Sequence, residues 1–320
     1  MQSSSLRGIA AMLAAVATFS VMDVTMKHLV QTYPAMQVTF LRGAASLPFL
    51  LFAAGMFGHW SDLIPKRWGL HLLRGALNVG LLVLFVYSVG SLSLADTYAI
   101  YMSGPLLITA LSAPLLGEHI GWRRWSAVLV GLCGVLVVLK PTGLGLVSLA
   151  GLAALASAAC YAVSAIMIRI LARTESGAAI SFWAIFLVAV ISGPLAIDTW
   201  VAMRWEEHWP WLLLLGLSGA FGQYFITKAF HLAAPPVIAP LEYTALMWGM
   251  VFDWLLWQTV PGYRMLLGAA IIVGSGLYVI YREATLKRQA GAATTADASP
   301  GTAPAPRPPA PEAPPQPPSR

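Results

Sequence analysis

Residues 92–139, LSLADTYAIYMSGPLLITALSAPLLGEHIGWRRWSAVLVGLCGVLVVL, and residues 232–279, LAAPPVIAPLEYTALMWGMVFDWLLWQTVPGYRMLLGAAIIVGSGLYV, run through the same order of features. Each starts among small residues or prolines and continues as an apolar helix. A short polar turn follows, then a helix spaced by glycines. With the two stretches aligned, Gly134 falls on Gly274. The likeness is weak at any one position but long, which predicts an internal repeat.

The surrounding chain extends the pattern. Of its 320 residues, 58% are hydrophobic and only 10% charged, well away from the roughly half apolar and quarter charged balance of soluble domains. Apolar blocks long enough to cross a hydrocarbon core of roughly 30 Å recur from Gly8 to Tyr281. They predict an all-α integral membrane fold of ten transmembrane helices near 8–30, 35–55, 70–89, 93–114, 122–139, 146–169, 178–198, 209–230, 234–256 and 264–282. Most connections are short and carry turn chemistry, as at Tyr33-Pro34, Ser88 to Ser93 and Lys140 to Gly143, so neighbouring helices run antiparallel. The first block begins like a signal peptide after Arg7. It runs on through Phe19 to Val30, carries Asp23 and Lys27 and lacks a small-residue cleavage site, and so reads as a membrane helix.

Five helices per half is an odd number, so the second copy enters the bilayer from the opposite side. Two inverted five-helix repeats are therefore expected, at 8–140 and 141–283, between a short N-terminal segment (1–7) and a tail (284–320). Inverted repeats recur in secondary transporters, where solute sits near the midplane between halves that exchange access from face to face.

The formal net charge of +6 follows the same plan. With the N-terminus inside, one side collects Arg7, Lys66, Arg67, Arg74, Arg123, Arg124, Arg169, Arg173, Lys228, Arg282, Lys287 and Arg288. The other holds Lys27, Arg42, Lys140, Arg204 and Arg264. That asymmetry predicts a bacterial-type inner (plasma) membrane protein with both termini cytoplasmic. No basic, aromatic-interleaved segment points to nucleic acid. Trp60, Trp68, Trp122, Trp125, Trp200, Trp205, Trp209, Trp211 and Trp257 cluster at block ends, where an indole keeps its N–H wet. Cys133 and Cys160 fall inside apolar blocks and read as packing residues. The tail turns Ala- and Thr-rich, then dense in proline, which predicts disorder or polyproline II.

Several stretches carry a family resemblance: Phe19 to Asp23 and on to Lys27; Phe40-Leu41-Arg42-Gly43; Ser103 to Leu106; Ala113 to Glu118; Trp122 to Trp125; Ala239 to Tyr243; and Gly268 to Gly276. Over about residues 8 to 283 the chain resembles the drug/metabolite transporter superfamily, in particular its EamA-type ten-helix members. One position departs from the pattern: where the first half has Gly117-Glu118, the second has Trp257-Gln258. The second turn thus lacks the carboxylate of the first. The resemblance implies a small-metabolite cargo, such as an amino acid, a vitamin like riboflavin, a nucleoside-type compound, a metallophore or a drug. Export is its commoner theme and import is known.

Ionisable groups inside a bilayer are costly, so each is a candidate site. Asp23 and Lys27 lie four apart on one helix face, as a wall of a central cavity, a proton-sensitive pair or a structural ion pair. Arg42 can fork onto a solute carboxylate or phosphate, anchor Asp23, or snorkel. Glu242 and Tyr243 follow Pro240, which can break the helix, and Glu242 is the leading candidate for proton coupling or cation recognition. Its alternative is a helix-pairing carboxylate. Tyr98 and Tyr101 lie in the corresponding region of the first half with Asp96, which either lines the cavity or caps its helix. Gln223, Tyr224, Lys228 and Trp248 are secondary candidates, Asp253 suggests a pairing with an arginine, and Gly216 to Gly222 suggests a close helix crossing.

No P-loop, dinucleotide turn, metal-ligand set or nucleophile elbow occurs in the sequence, so no cofactor or metal is expected and ATP-driven pumping is unsupported. The expected partners are a small-molecule solute and the lipid bilayer, with a homodimer as one allowed assembly. The reading is a secondary transporter, proton-coupled through Glu242 and Asp23. Its rival is an integral-membrane enzyme acting on a lipid-linked substrate, which would usually gather acidic or His residues at one membrane face.

Overall fold

A computed structural model describes residues 2–57, 63–117, 120–139, 148–233 and 235–297. Met1–Arg282 is the helical body, and Glu283–Arg320 is a unit of its own. Trp60, Glu118, the turn from Lys140 to Gly143 and the proline-dense end of the tail lie outside the described residues.

Helices are the regular elements of the described residues, among which there is no strand. The helices are α1 (Gln2–Leu29), α2 (Ala35–Phe57), α3 (Trp68–Ser91), α4 (Leu94–Tyr101), α5 (Gly104–Leu116), α6 (Trp122–Leu139), α7 (Leu149–Leu171), α8 (Gly177–Ala196), α9 (Trp205–Leu232), α10 (Pro235–Ile238), α11 (Ala245–Trp257) and α12 (Tyr263–Asp297). α12 runs beyond Arg282, so the proline-poor start of the tail continues a helix where disorder was expected.

Among the described residues, seven segments are long and apolar enough to cross a membrane: Leu6–Leu29, Trp68–Ser91, Leu94–Leu116, Trp122–Leu139, Leu149–Leu171, Gly177–Thr199 and Tyr263–Arg282. Of the three further expected spans, 35–55 lies within α2 and 209–230 within α9, and the third, 234–256, is described from Pro235. α9 opens on Glu206 and Glu207 and carries Gln223 and Lys228. From Pro235 on, this third span is cut into α10, a 3-10 turn over Ala239–Thr244, and α11.

Proline explains the two interrupted spans. Pro105 sits in the first turn of α5 and has no N–H to give Tyr101, so α4 stops and α5 starts anew. In the second, Pro235 and Pro236 open α10 and Pro240 opens the 3-10 turn. α5 and α11 then end alike in a left-handed residue, Gly117 at φ 68° and Gln258 at φ 52°.

Helices pair lengthwise: α1 with α9, α3 with α7, α2 with α8 and α4 with α11. Small residues let backbones approach. A Cβ on Gly216 would stand 2.6 Å from the Ala45 carbonyl oxygen and one on Gly222 would stand 2.7 Å from the Phe19 ring, so the Gly216 to Gly222 stretch places α9 tightly on α2 and α1. A Cβ on Gly268 would lie 2.7 Å from the carbonyl oxygen of Gly134, joining α12 to α6. Trp68, Trp122, Trp205 and Trp209 are exposed at helix starts.

Candidate solute cavity

A cavity of about 420 Å³ lies among helices from both halves of the sequence. α1 supplies Ser20 and Asp23, α2 Arg42, α3 Arg74 and Asn78, and α4 Tyr98 and Tyr101. From the second half come Tyr161 and Ser164 on α7, Gln223 on α9 and Glu242 on the 3-10 turn. The two interrupted spans explain why Tyr101 and Glu242 meet here: each sits at a break, where the chain leaves the helix path and its side chain can enter the interior. Tyr101 lies in the electric field of Asp23, Arg42 and Glu242 together.

The polar groups fall into two networks. In the first, the Tyr98 hydroxyl donates to Asp23 Oδ2 at 2.6 Å, and Arg42 Nε points at the Met22 sulfur at 3.4 Å while acting electrostatically on Asp23. In the second, Arg74 Nη1 donates to the Ile180 carbonyl at 2.7 Å and its Nε to Ser164 Oγ at 3.3 Å. Ser164 in turn donates to Asn78 Oδ1 at 2.8 Å. Glu242 makes no hydrogen bond or ion pair with another described residue, and it lines the cavity. An aromatic wall completes the site: Phe85 stacks near Tyr98 at 6.3 Å and meets Tyr101 edge-on at 5.5 Å, and Tyr101 lies 5.5 Å from Tyr161. Convergent polar groups on an apolar, aromatic lining are the usual make-up of a small-molecule site.

Of the residues singled out in the sequence, Asp23, Arg42, Tyr98, Tyr101, Gln223 and Glu242 line the cavity. Lys27 does not pair with Asp23. Its ammonium lies 2.9 Å from Asp253 Oδ1 and 4.4 Å above the Trp257 ring, both on α11. Asp253 therefore meets a lysine, where an arginine was expected. Tyr243 points away from the cavity, and its hydroxyl is buried against Gly276. Trp248 lies on the outer side of α11 against Phe252 at 5.9 Å. Asp96 stays with its own helix end, where Ser93 Oγ both caps its N–H and donates to its carboxylate. Tyr224 and Lys228 are exposed and contact each other.

Arg74 corrects the charge count. It is buried on α3 within the helix body, so it does not belong to a cytoplasmic set of surface charges. The signal was present, since His71, Arg74 and Asn78 fall at i, i+3 and i+7 and make one polar stripe on an apolar helix.

The model of the EamA-like transporter family matches residues 6–140 and again residues 148–282. The chain belongs to the EamA-like transporter family. It is a multi-pass membrane protein of that family. Among curated EamA-type relatives, a pseudopaline exporter of Pseudomonas aeruginosa is 28% identical over 80% of this chain and 89% of that protein. An S-adenosylmethionine uptake transporter of Rickettsia prowazekii is 28% identical over 87% of this chain and 94% of its own. A riboflavin transporter of Vibrio cholerae is 27% identical, covering 80% of this chain and 86% of its own. One solved crystal structure superposes with a TM-score of 0.57 at 21% identity, over 86% of this chain and 96% of that one, so the two share a fold.

Proposed function

We propose that this EamA-type protein carries a small organic metabolite across the inner membrane by alternating access, with both termini cytoplasmic and the solute held in the cavity between two inverted five-helix repeats, 8–140 and 141–283. The observation that carries the reading is the cavity itself. It takes its polar groups from both halves of the chain and sits at the two helix breaks. Supporting the repeat, the family matches twice in succession. Helix pairing is also reciprocal: α1, which opens the first half, lies on α9, and α7, which opens the second, lies on α3. Two near-equivalent halves supply two conformations of similar energy, one open to each face.

Cargo comes from the class of amino acids, vitamins such as riboflavin, nucleoside-type compounds, metallophores and drug-like molecules. Arg42 and Arg74 suit an anionic group, Asp23 and Glu242 a cationic one, and the tyrosines a flat body. The named relatives include an exporter and an uptake carrier, so flux must be followed both ways. Proton coupling is assigned to Glu242, with Asp23 as the second carboxylate.

The test is labelled-solute flux by the purified protein in liposomes, across flavins, amino acids, nucleosides and metallophores, with and without a pH gradient. Saturable, gradient-driven flux supports a coupled carrier. Flux indifferent to the gradient rejects the coupling, and no flux for any class returns the membrane-enzyme reading.

A further inference from the structure

Two ties at the ends of the helical body match each other residue for residue. Tyr33 follows α1, and its backbone N–H donates to the Leu29 carbonyl at 2.9 Å. Glu175 follows α7 in the same way, donating to the Leu171 carbonyl at 2.9 Å. Each then reaches the first turn of a helix from the other half of the chain. The Tyr33 hydroxyl accepts from the backbone N–H of Arg204, the residue before α9, at 3.1 Å. Glu175 Oε1 accepts from the backbone N–H of Arg67, the residue before α3, at 2.8 Å, and from Lys66 at 2.7 Å.

The match continues with a histidine. His208 is the fourth residue of α9 and its Nδ1 lies 2.8 Å from the Tyr33 hydroxyl. His71 is the fourth residue of α3 and its Nε2 lies 3.6 Å from Glu175 Oε1. All four side chains are buried. Each tie is reinforced nearby: Gln37 grips Val201 through both its amide atoms, at 2.8 and 3.0 Å. At the other tie, the Trp183 indole donates to the Leu63 carbonyl at 2.7 Å.

Ties confined to loop packing would have no reason to recur at the same positions in both halves. We infer that Tyr33–His208 and Glu175–His71 are paired locks on the two mouths of the cavity, the first on the outer face and the second on the cytoplasmic face, both made in this structure and each released in turn. This rests on the alternating-access reading. The locks are unequal in chemistry. The cytoplasmic one offers a carboxylate to two backbone donors at a helix N-terminus, a charge-assisted arrangement, whereas the outer one offers a neutral phenol. The carrier therefore rests with its cytoplasmic mouth closed more firmly than its outer one. The fit of the cytoplasmic lock is incomplete, since Glu175 Oε2 and His71 Nε2 are buried without a hydrogen-bond partner among the described residues.

The test needs no solute. Ser20→Cys places a reporter thiol in the cavity, in the full-length chain with Cys133 and Cys160 replaced by alanine. Its reaction with a membrane-impermeant maleimide is timed from each face, in right-side-out and inside-out vesicles. Glu175→Gln is expected to raise the rate from the cytoplasmic face about tenfold and lower it from the outer face, the size expected for losing a charge-assisted hydrogen bond. Tyr33→Phe is expected to do the reverse, by a smaller factor. Trp183→Phe, which removes the indole bond to the Leu63 carbonyl, and Gln37→Leu repeat the two directions through different atoms and guard against a variant that fails to fold. Rates that do not change, that move the same way for both locks, or that stay at zero from both faces overturn the assignment. Solute flux with unchanged labelling would mark a carrier whose ties are static, and absence of both would take the carrier reading down as well.

Discussion

Lys27 Nζ lies 2.9 Å from Asp253 Oδ1 with both side chains buried, joining α1 to α11 across 226 residues of sequence. The same carboxylate accepts from the backbone N–H groups of Leu94 and Ala95, at 3.0 and 2.8 Å, and so fixes the start of α4. One aspartate thus holds three helices. Asp253→Asn leaves the ammonium buried without its counter-charge, which should cost about 3–5 kcal/mol. Adding Lys27→Met removes the stranded charge, so the double variant should unfold at a higher temperature than Asp253→Asn alone. Thermal unfolding in detergent checks this, and losses that simply add would show the pair uncoupled.

Tyr243 and Gly276 make a second readable pair. The Tyr243 hydroxyl is buried without a hydrogen-bond partner among the described residues, and it occupies the space that a Cβ on Gly276 would need. Tyr243→Phe should therefore be neutral or slightly stabilising, because it deletes an unsatisfied polar atom. Gly276→Ala should cost about 1–3 kcal/mol by overpacking. Combined with Tyr243→Phe it should cost less. If Tyr243 instead serves the solute, Tyr243→Phe alone will depress flux.

The contrast between these residues and the cavity shows what was legible in the sequence. Membrane helices are written as long apolar runs, so their existence and order were readable, and Pro240 announced a break. Pro105 gave the same signal inside a stretch that reads as one helix. Asp23, Arg42, Tyr98, Tyr101, Gln223 and Glu242 were findable because a polar group in an apolar helix stands out. Their partners were not findable. The periodicity of α1 pairs Lys27 with Asp23, while the true partner is set by how α11 packs, which no local spacing encodes. Arg74 was hidden by its nearness to a basic loop, and Glu175 by lying in a turn that looks solvated.

Arg74 donates to acceptors on two helices, the Ile180 carbonyl on α8 and Ser164 Oγ on α7. Lysine would keep the charge but lacks the planar fork that serves both at once. Arg74→Lys should lower both thermal stability and solute affinity, and Ser164→Ala should lower stability by about 1 kcal/mol while leaving the Ile180 contact. Affinity is read from the concentration dependence of flux. An anionic cargo that bound equally well to Arg74→Lys would remove Arg74 from the solute site and leave it a bracing residue.

The two cavity carboxylates are set up for different work. Asp23 is tied by the Tyr98 hydroxyl at 2.6 Å and lies in the field of Arg42, so its proton and its position are constrained by the protein. Glu242 has no such tie and stands at a helix break, free to exchange a proton with whatever fills the cavity. Glu242→Gln should therefore abolish accumulation driven by a pH gradient while sparing one-for-one exchange of labelled for unlabelled solute, which needs no net proton movement. Asp23→Asn and Tyr98→Phe should weaken both modes through lower apparent affinity. Counterflow and gradient-driven uptake in the same liposomes separate these outcomes. Loss of exchange in Glu242→Gln would make that carboxylate a solute ligand, and retention of driven uptake would move the coupling to Asp23.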